Sequence, residues 1–325
     1  MQQRKYYDEI TIAKGIGILL VVLGHAIKQI GVEDSISTTI LQVIYSFHMP
    51  LFFVLSGFVS VKILSYEGKE YGSFLKKRAC RLLIPYFVVG ILYLPLKYLL
   101  SQFARKPYDF ANCWRLILGE NPNTTLWFLY ILFLVSVLTL LLVRKNTLHI
   151  FLIFAAVLSV LTFHFGWEIK VTKYFFFFLL GIYLRIHYGV WKKMMEKVWF
   201  VFLAFLVFLA GNIALYYGME MAGFFTSISG MILTLVFSLK ILSIKKEKHG
   251  MLYRFGDASM DIYILSDIVQ TVLRLAFWNI LHLPAVFVMV ICFVGGIYGS
   301  IIAAKWILRR FYIFRMLFFG EWEHR

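Results

Sequence analysis

Apolar segments of about 20 residues recur along almost the whole chain, and they limit its possible folds more than any other feature. A helix of that length crosses the ~30 Å hydrocarbon core of a lipid bilayer. Because lipid offers no hydrogen-bond partners, a spanning backbone must satisfy its own polar groups, as an α-helix does. The sequence therefore predicts an all-α polytopic membrane protein, with ten transmembrane helices in a single bundle. The predicted spans cover residues 12–30, 43–63, 82–100, 126–143, 148–166, 172–187, 198–217, 224–243, 258–278 and 285–308.

The composition supports this class of protein and argues against several others. Charged residues make up 15% of the 325 residues, against roughly 25% in soluble globular proteins. The three cysteines, Cys80, Cys113 and Cys292, lack the spacing of a disulfide framework or a zinc site, so no bound metal is expected. No repeat or linker interrupts the chain, which predicts one membrane domain over residues 1–325 without a separate soluble domain or a cleaved leader.

The distribution of positive charge predicts the orientation in the membrane. Ten spans place both termini on one side, and the loops and helix ends of that side hold 25 of the 33 lysines and arginines. The positive-inside rule therefore assigns both termini to the cytoplasm of a multi-pass cell-membrane protein. This topology also explains the formal net charge of +16, so nucleic acid is not an expected partner.

Three ionisable side chains in the first two spans are candidates for function. Lys14 and His25 share one face of span 1, roughly 16 Å apart along the helix axis, and His48 in span 2 lies at the same predicted depth as His25. One interpretation makes the histidines a general base or acid with a positioning or oxyanion partner. The other makes them structural, hydrogen-bonded between helices, with Lys14 extending to the inner headgroups.

A cluster of cations in the next loop is a candidate phosphate-binding site. Arg78 and Arg81 are three residues apart and share a helix face, and Lys76 and Lys77 precede them. Guanidinium groups bind phosphate through paired, charge-assisted hydrogen bonds. The alternative is the ordinary positive charge of a cytoplasmic loop.

Two further polar positions lie within apolar spans. Ser56, followed by Gly57, is either a nucleophile or a small residue that permits close helix packing. Asp267 lies two helical turns before Arg274 in span 9, and the two are expected to form a structural ion pair.

Several segments resemble the motifs of the acyltransferase 3 family of polytopic membrane acyltransferases. They occur in the family's order and extend to span 9. They are Lys14-x10-His25, Phe47-His-Met-Pro-Leu-Phe-Phe-Val-Leu-Ser-Gly57, Lys76-Lys-Arg-Ala-Cys-Arg-Leu-Leu-Ile-Pro85, Leu126-Trp-Phe-Leu and Ser259-Met-Asp-Ile-Tyr263.

The resemblance implies an O-acyltransferase, usually an O-acetyltransferase, without a tightly bound cofactor. The implied donor is acetyl-CoA or another acyl-CoA from the cytoplasm, and the implied acceptor is a hydroxyl of a cell-envelope or exported glycan, free or lipid-linked. It makes His25 the catalytic histidine and Lys14 its basic partner. Arg78 and Arg81 become residues that support coenzyme A binding, and Trp127 a supporting residue. Membrane lipids are further expected partners, and an oligomer is possible.

The chain departs from the family's pattern at two places. Thr11 stands where many members carry an acid, although Asp8 and Glu9 are nearby. Ser266 and Asp267 follow the span 9 motif where many members carry a histidine. Its role either passes to one of these two residues or is lost, and the expected partner of His25 is His48 first and Asp267 second.

Two other functions stay open at this stage. A transporter or flippase of a glycan or lipid-linked saccharide would also be a bundle with buried polar residues, but it predicts charges spread along many spans and paired halves. A structural partner of an envelope assembly would leave the histidines and the basic loop without a role.

Overall fold

The computed structural model describes residues 7–31, 34–99, 110–165, 169–244 and 250–322. Parts of the loops that follow the predicted spans 3 and 8 lie outside these ranges. The described residues form helices and contain no strand, which confirms the all-α class. The α-helices are α1 Asp8–Ile30, α2 Ser35–Val59, α3 Lys69–Leu99, α4 Trp127–Leu142, α5 Leu148–His164, α6 Lys170–Ile186, α7 Tyr188–Met195, α8 Val198–Tyr216, α9 Ala222–Ile244, α10 Met251–Asp257, α11 Ser259–Arg274, α12 Ala285–Ile302 and α13 Tyr312–Phe319.

Shorter helical segments connect or extend these elements. Short 3-10 turns cover Val61–Ser65, Phe110–Leu118, Thr124–Leu126 and Leu308–Arg310. Two π-helical segments, Leu275–Ile280 and Ala303–Ile307, continue α11 and α12.

Every predicted span coincides with a helix, but the number of membrane crossings is not settled by the helices. Seven helical segments of the described chain are long and apolar enough to cross a membrane, and an eighth is added if α6 and α7 form one bent span. The 17 residues of α5 and the 16 of α11 make shorter helices. The protein is a membrane protein with several candidate spans, whereas the count of ten and the side of the termini stay predictions.

The chain divides into two compact units, each built from two separate stretches of sequence. Met1–Ser65 and Val143–Ser259 form the first unit, which contains α1, α2 and α5 to α10. Tyr66–Leu142 and Met260–Arg325 form the second, which contains α3, α4, α12, α13 and nearly all of α11.

In the first unit, α2 and α6 are in direct backbone contact through a reciprocal pair of glycines. A Cβ atom on Gly57 of α2 would lie 1.9 Å from the carbonyl oxygen of Phe178, and one on Gly181 of α6 would lie 2.0 Å from that of Val54. Small residues at such crossings let helices pack by dispersion and weak polar contacts where lipid provides no hydrophobic drive. The position of α2 therefore depends on these two glycines.

The same device holds α1 against α10. A Cβ atom on Gly15 would lie 2.0 Å from the carbonyl oxygen of Leu252, and one on Gly256 would lie 1.9 Å from that of Thr11. The two helices that carry Lys14, His25 and His48 are thus each fixed by a backbone contact with a partner helix of their own unit.

A local cap starts α2. The carboxylate of Asp34 accepts hydrogen bonds from the backbone N–H of Ser37 at 2.6 Å and from its hydroxyl at 2.9 Å. These bonds favour the ionised form and lower the pKa of Asp34 below its usual value. The cap satisfies N–H groups that the first turn of a helix leaves without partners.

In the second unit, buried polar groups join helices that are distant in sequence. The hydroxyl of Tyr86 in α3 donates to the carbonyl of Leu116 at 3.0 Å, and the amide of Asn121 donates to the carbonyl of Tyr86 at 2.8 Å. Arg309 donates to both carboxylate oxygens of Asp261, at 3.1 and 2.7 Å, which ties the end of the chain to α11.

Substitution of the α2 glycine tests the backbone contact. Gly57→Ala must separate α2 from the carbonyl of Phe178, and we expect the overpacking to cost about 1–3 kcal/mol of stability. Gly72→Ala in α3 is the matched control, because an added Cβ there meets no atom within 4 Å. Thermal unfolding in detergent should show a lower melting temperature for the first variant only; equal melting temperatures would contradict the contact.

Candidate functional site

Lys14 and His25 lie on one continuous helix. Since α1 runs without a break from Asp8 to Ile30, the eleven positions between them correspond to roughly 16 Å along its axis. Both side chains are half-buried. Next to His25, the ring of Tyr45 from α2 packs against the backbone of Gly24. A Cβ atom added to Gly24 would lie 3.3 Å from the nearest atom of that ring.

His48 is buried in α2, and its orientation is set by its own helix. Its Nδ1 atom lies 2.8 Å from the carbonyl oxygen of Ile44, one turn earlier. Because a carbonyl oxygen only accepts hydrogen bonds, Nδ1 carries the proton and Nε2 of the neutral ring keeps its lone pair. The ring also contacts that of Tyr45, with centroids 5.1 Å apart.

The structure places the two histidines on neighbouring helices. Both belong to the first unit, in which α1 packs against α2. Tyr45 contacts His48 and packs at Gly24, so its ring lies next to both positions. The catalytic role of the histidines and a direct contact between them stay predictions.

A proline two residues after His48 is compensated by a neighbouring helix. Pro50 has no N–H, so the carbonyl of Ser46 loses its usual partner in α2. The hydroxyl of Ser227 in α9 lies 2.7 Å from that carbonyl and 2.6 Å from the carbonyl of Gly223 in its own helix, so its single proton is shared between the two. In a membrane helix, a carbonyl that a proline leaves without its usual partner is served by a neighbouring group. The sequence analysis did not identify Ser227, which is 181 positions away from Ser46.

Ser56 lies too far along α2 to use His48 as its base. The eight positions between them correspond to about 12 Å of helix axis, whereas a nucleophile and its base need hydrogen-bond contact. Ser56 is half-buried beside Gly57, which fits the packing interpretation.

In the second unit, the cationic cluster on α3 has one anchored member and three exposed ones. Arg78 is half-buried, and its Nε donates to the hydroxyl of Ser136 in α4 at 3.1 Å. Lys76, Lys77 and Arg81 are exposed, and the part of the chain that the structure describes gives them no ion-pair partner. Arg81 is also within electrostatic range of Arg78. Cations this close together are suited to an anionic ligand.

The polar residues of α11 form a second group in this unit. Asp267 accepts a hydrogen bond from the hydroxyl of Tyr93 in α3 at 2.8 Å, and Thr271 lies 3.4 Å from the same hydroxyl. Ser266 is buried next to Asp267. The ion pair between Asp267 and Arg274, and Asp267 as the alternative partner of His25, stay predictions. Tyr93 gave no signal in the sequence, because its partner is 174 positions away.

Trp127 is the first residue of α4, and a hydrogen bond from α11 fixes the turn that precedes it. The hydroxyl of Tyr263 donates to the carbonyl of Thr125, and the side chain of Asn123 caps the preceding turn through the N–H of Thr125 at 3.0 Å. Trp127 itself is half-buried. Tyr263, the last residue of the Ser259-to-Tyr263 motif, is therefore hydrogen-bonded to the residue that precedes the Leu126-Trp-Phe-Leu motif.

The start of α1 carries a buried acid that sequence reasoning noted only as a nearby residue. Glu9 is buried and accepts a hydrogen bond from the hydroxyl of Tyr188, whereas Asp8 is half-buried. Arg185 donates to the hydroxyl of Tyr7 and stacks on its ring at 4.1 Å from the centroid. These bonds tie the first turn of α1 to the junction of α6 and α7.

The predicted site residues therefore form two groups, one in each unit. Lys14, His25, His48 and Ser56 belong to the first unit, and the α3 cations, Trp127, Ser266 and Asp267 belong to the second. Across the described ranges, no group of three or more His, Cys, Asp or Glu side chains is arranged to hold a metal ion.

Comparison with known proteins gives one partial match to a curated protein. The chain is 29% identical over 151 residues to nodulation protein NolL of Mesorhizobium japonicum (strain LMG 29417 / CECT 9101 / MAFF 303099). The match covers 46% of this chain and 39% of that protein, so the chain aligns with well under half of the relative's length. No solved structure matches the chain.

A family comparison covers nearly the whole chain. The family model described as an acyltransferase domain matches residues 7–305, from the residue before α1 to the π-helical segment after α12. The match includes the helices that carry both groups of site residues. The protein therefore belongs to the acyltransferase 3 family of membrane acyltransferases.

Proposed function

We propose that this protein is an O-acetyltransferase of the cell membrane that moves an acetyl group from cytoplasmic acetyl-CoA to a hydroxyl of a cell-envelope or exported glycan. Family membership supports acyl transfer within a membrane. The ring of Tyr45, which contacts His48 and also packs at Gly24 beside His25, is the observation that carries the finer proposal. An imidazole can act as a general base towards a hydroxyl or as a nucleophile towards a thioester.

His25 is the proposed reacting group, and two routes balance. As a general base, it removes the proton of the acceptor hydroxyl, the oxygen attacks the thioester carbonyl, and the C–S bond breaks. The coenzyme A thiolate then leaves and takes the proton back from the imidazolium. Alternatively, the imidazole nitrogen attacks the thioester, the C–S bond breaks, and the coenzyme A thiolate leaves with the imidazole proton. The acceptor oxygen then attacks the acyl carbon of the acyl-imidazole, the C–N bond breaks, and the released imidazole takes up the hydroxyl proton.

The hydrogen bond from His48 to the carbonyl of Ile44 bears on the choice between a positioning role and an oxyanion-stabilising role for His48. With its Nδ1 proton donated to that carbonyl, neutral His48 has no N–H left to stabilise an oxyanion, and its Nε2 atom only accepts. This favours the positioning role over the oxyanion role. His48 then fixes the orientation or tautomer of a hydrogen-bond donor in the site, such as the ring of His25.

The proposed phosphate contacts of acetyl-CoA are the cations of α3, which are Arg78, Arg81, Lys76 and Lys77, with Arg78 held in place by Ser136. Lys14 is the proposed basic partner of His25 on α1, and an extended pantetheine arm covers much of the ~16 Å between these two residues.

Replacement of His25 tests the proposal. His25→Ala should lower acetyl transfer by roughly 10²–10⁴-fold, the usual contribution of a general acid–base group, while the protein stays folded. Transfer of label from radioactive acetyl-CoA measures the activity, and thermal unfolding measures the fold. His149→Ala, on an exposed histidine of α5, is the control and should keep full activity. Full activity in His25→Ala would sink the proposal.

Two substitutions of His48 distinguish positioning from packing. The amide nitrogen of an asparagine superimposes on Nδ1, so His48→Asn keeps the bond to Ile44 but removes the acceptor at Nε2. The side-chain oxygen of a glutamine can reach the position of Nε2. We expect kcat to fall about 10–100-fold in His48→Asn and to recover in part in His48→Gln, with similar melting temperatures. Equal kcat values in the two variants would point to a packing role.

The arginine cluster predicts an effect on donor binding. Arg81→Ala should raise the KM for acetyl-CoA about tenfold, which corresponds to about 1.4 kcal/mol, and leave kcat nearly unchanged. Arg310→Ala, an exposed arginine of the same unit, should leave KM unchanged. If both variants raise KM equally, the effect is general surface charge and the cluster is not a donor site.

A further inference from the structure

A short basic helix meets a longer apolar one at a right angle in the first unit. The axis of α7 is bent by 96° from that of α6. It carries Lys192 and Lys193 together with the exposed apolar side chains of Val190 and Met194, and Lys197 follows it. A helix of this composition, perpendicular to a membrane span, lies in the plane of the headgroups.

Below this helix, α8 and α9 enclose an apolar groove. Its volume is about 670 Å³, and α7 closes one end. The buried side chains of Met195 and Val236 line it, together with Phe202, Phe205 and Leu233 along the sides. No side chain of the proposed acyl-transfer site lines this groove.

The length of the groove matches one leaflet of a bilayer. Its lining extends from Val198 to Phe205 on α8 and from Leu233 to Ser243 on α9. At 1.5 Å per residue these stretches measure roughly 10 and 15 Å. Half of the ~30 Å hydrocarbon core is also about 15 Å, so an acyl chain of one leaflet fits along the groove.

The end of the groove beside α7 is cationic. Lys192 and Lys240 line it together with one acid, Glu196. None of these three side chains takes part in an ion pair within the described ranges. Lys193 and Lys197 line a second hollow of about 530 Å³ on α7, which adds positive charge at the same level. Apolar walls below a cationic rim complement a lipid that carries a negative headgroup.

We propose that this groove binds an anionic phospholipid of the surrounding bilayer. Its phosphate lies between Lys192 and Lys240, and one acyl chain follows the apolar walls of α8 and α9. Charge complementarity and the leaflet-long groove favour a glycerophospholipid over a soluble phosphate compound, which would leave the apolar walls empty. The proposal is independent of the acyl-transfer reaction.

Native mass spectrometry of the full chain in detergent tests the site. Dioleoylphosphatidylglycerol is the probe, dioleoylphosphatidylcholine is the neutral comparison, and glycerol 3-phosphate supplies a negative headgroup without chains. We expect one phosphatidylglycerol per protein to be retained at least tenfold more tightly than phosphatidylcholine. Glycerol 3-phosphate should not displace it at equal concentration.

Matched variants locate the binding. Lys192→Ala/Lys240→Ala should lower the affinity for phosphatidylglycerol at least tenfold. Lys62→Ala/Lys145→Ala, which removes two exposed lysines on the same predicted side, should not. Val201→Trp fills the groove without a change of charge and should also release the lipid. Thermal unfolding is measured for every variant, and only variants that melt at the temperature of the unmodified protein are compared. A loss of fold is then not mistaken for a loss of lipid binding.

Several results would overturn the proposal. These are equal retention of the two phospholipids by the unmodified protein, equal losses in the two lysine pairs, and displacement by glycerol 3-phosphate. Lipid-free dimers that dissociate in Val201→Trp would assign the groove to a second copy of the chain instead.

Discussion

Direct backbone contact at reciprocal glycine pairs fixes the helices on which the proposed chemistry depends. Gly57 and Gly181 let α2 touch α6, and Gly15 and Gly256 let α1 touch α10. In lipid, where burial of apolar side chains gives little drive to association, such contacts set the position of a helix. His25 and His48 each lie on a helix held in this way, so the backbone contacts set the positions of both residues.

Side chains donate hydrogen bonds to backbone carbonyls near the histidines, and one of these bonds limits the chemistry that His48 can perform. The ring of His48 donates to its own helix at Ile44, and Ser227 serves the carbonyl that Pro50 leaves without a partner. The other ring nitrogen of neutral His48, Nε2, is therefore an acceptor. This is compatible with a positioning residue in acyl transfer and leaves the stabilisation of an oxyanion to other groups.

The sequence predicts the parts of this molecule that depend on local patterns. Apolar runs located a helix at every predicted span, and motif spacing identified the family. The 96° bend between α6 and α7, the bond from Tyr93 to Asp267 and the contact of Tyr188 with Glu9 were not predicted. The two hydrogen bonds join side chains that are separated by many residues, and a single sequence carries no pattern for such contacts. The apolar run of α6 likewise does not show the direction in which the next helix leaves it. Hydropathy likewise indicates an apolar helix but does not decide whether it crosses the bilayer, so the ten crossings stay a prediction.

Transfer of the acetyl group by the isolated protein is the most direct test of the account. The purified chain in nanodiscs is incubated with radiolabelled acetyl-CoA, with and without an extract of cell-envelope material. The account predicts label in a glycan fraction that depends on both the protein and the extract. Saturable movement of a glycan across the membrane without transfer of label would contradict it and would identify a transporter instead.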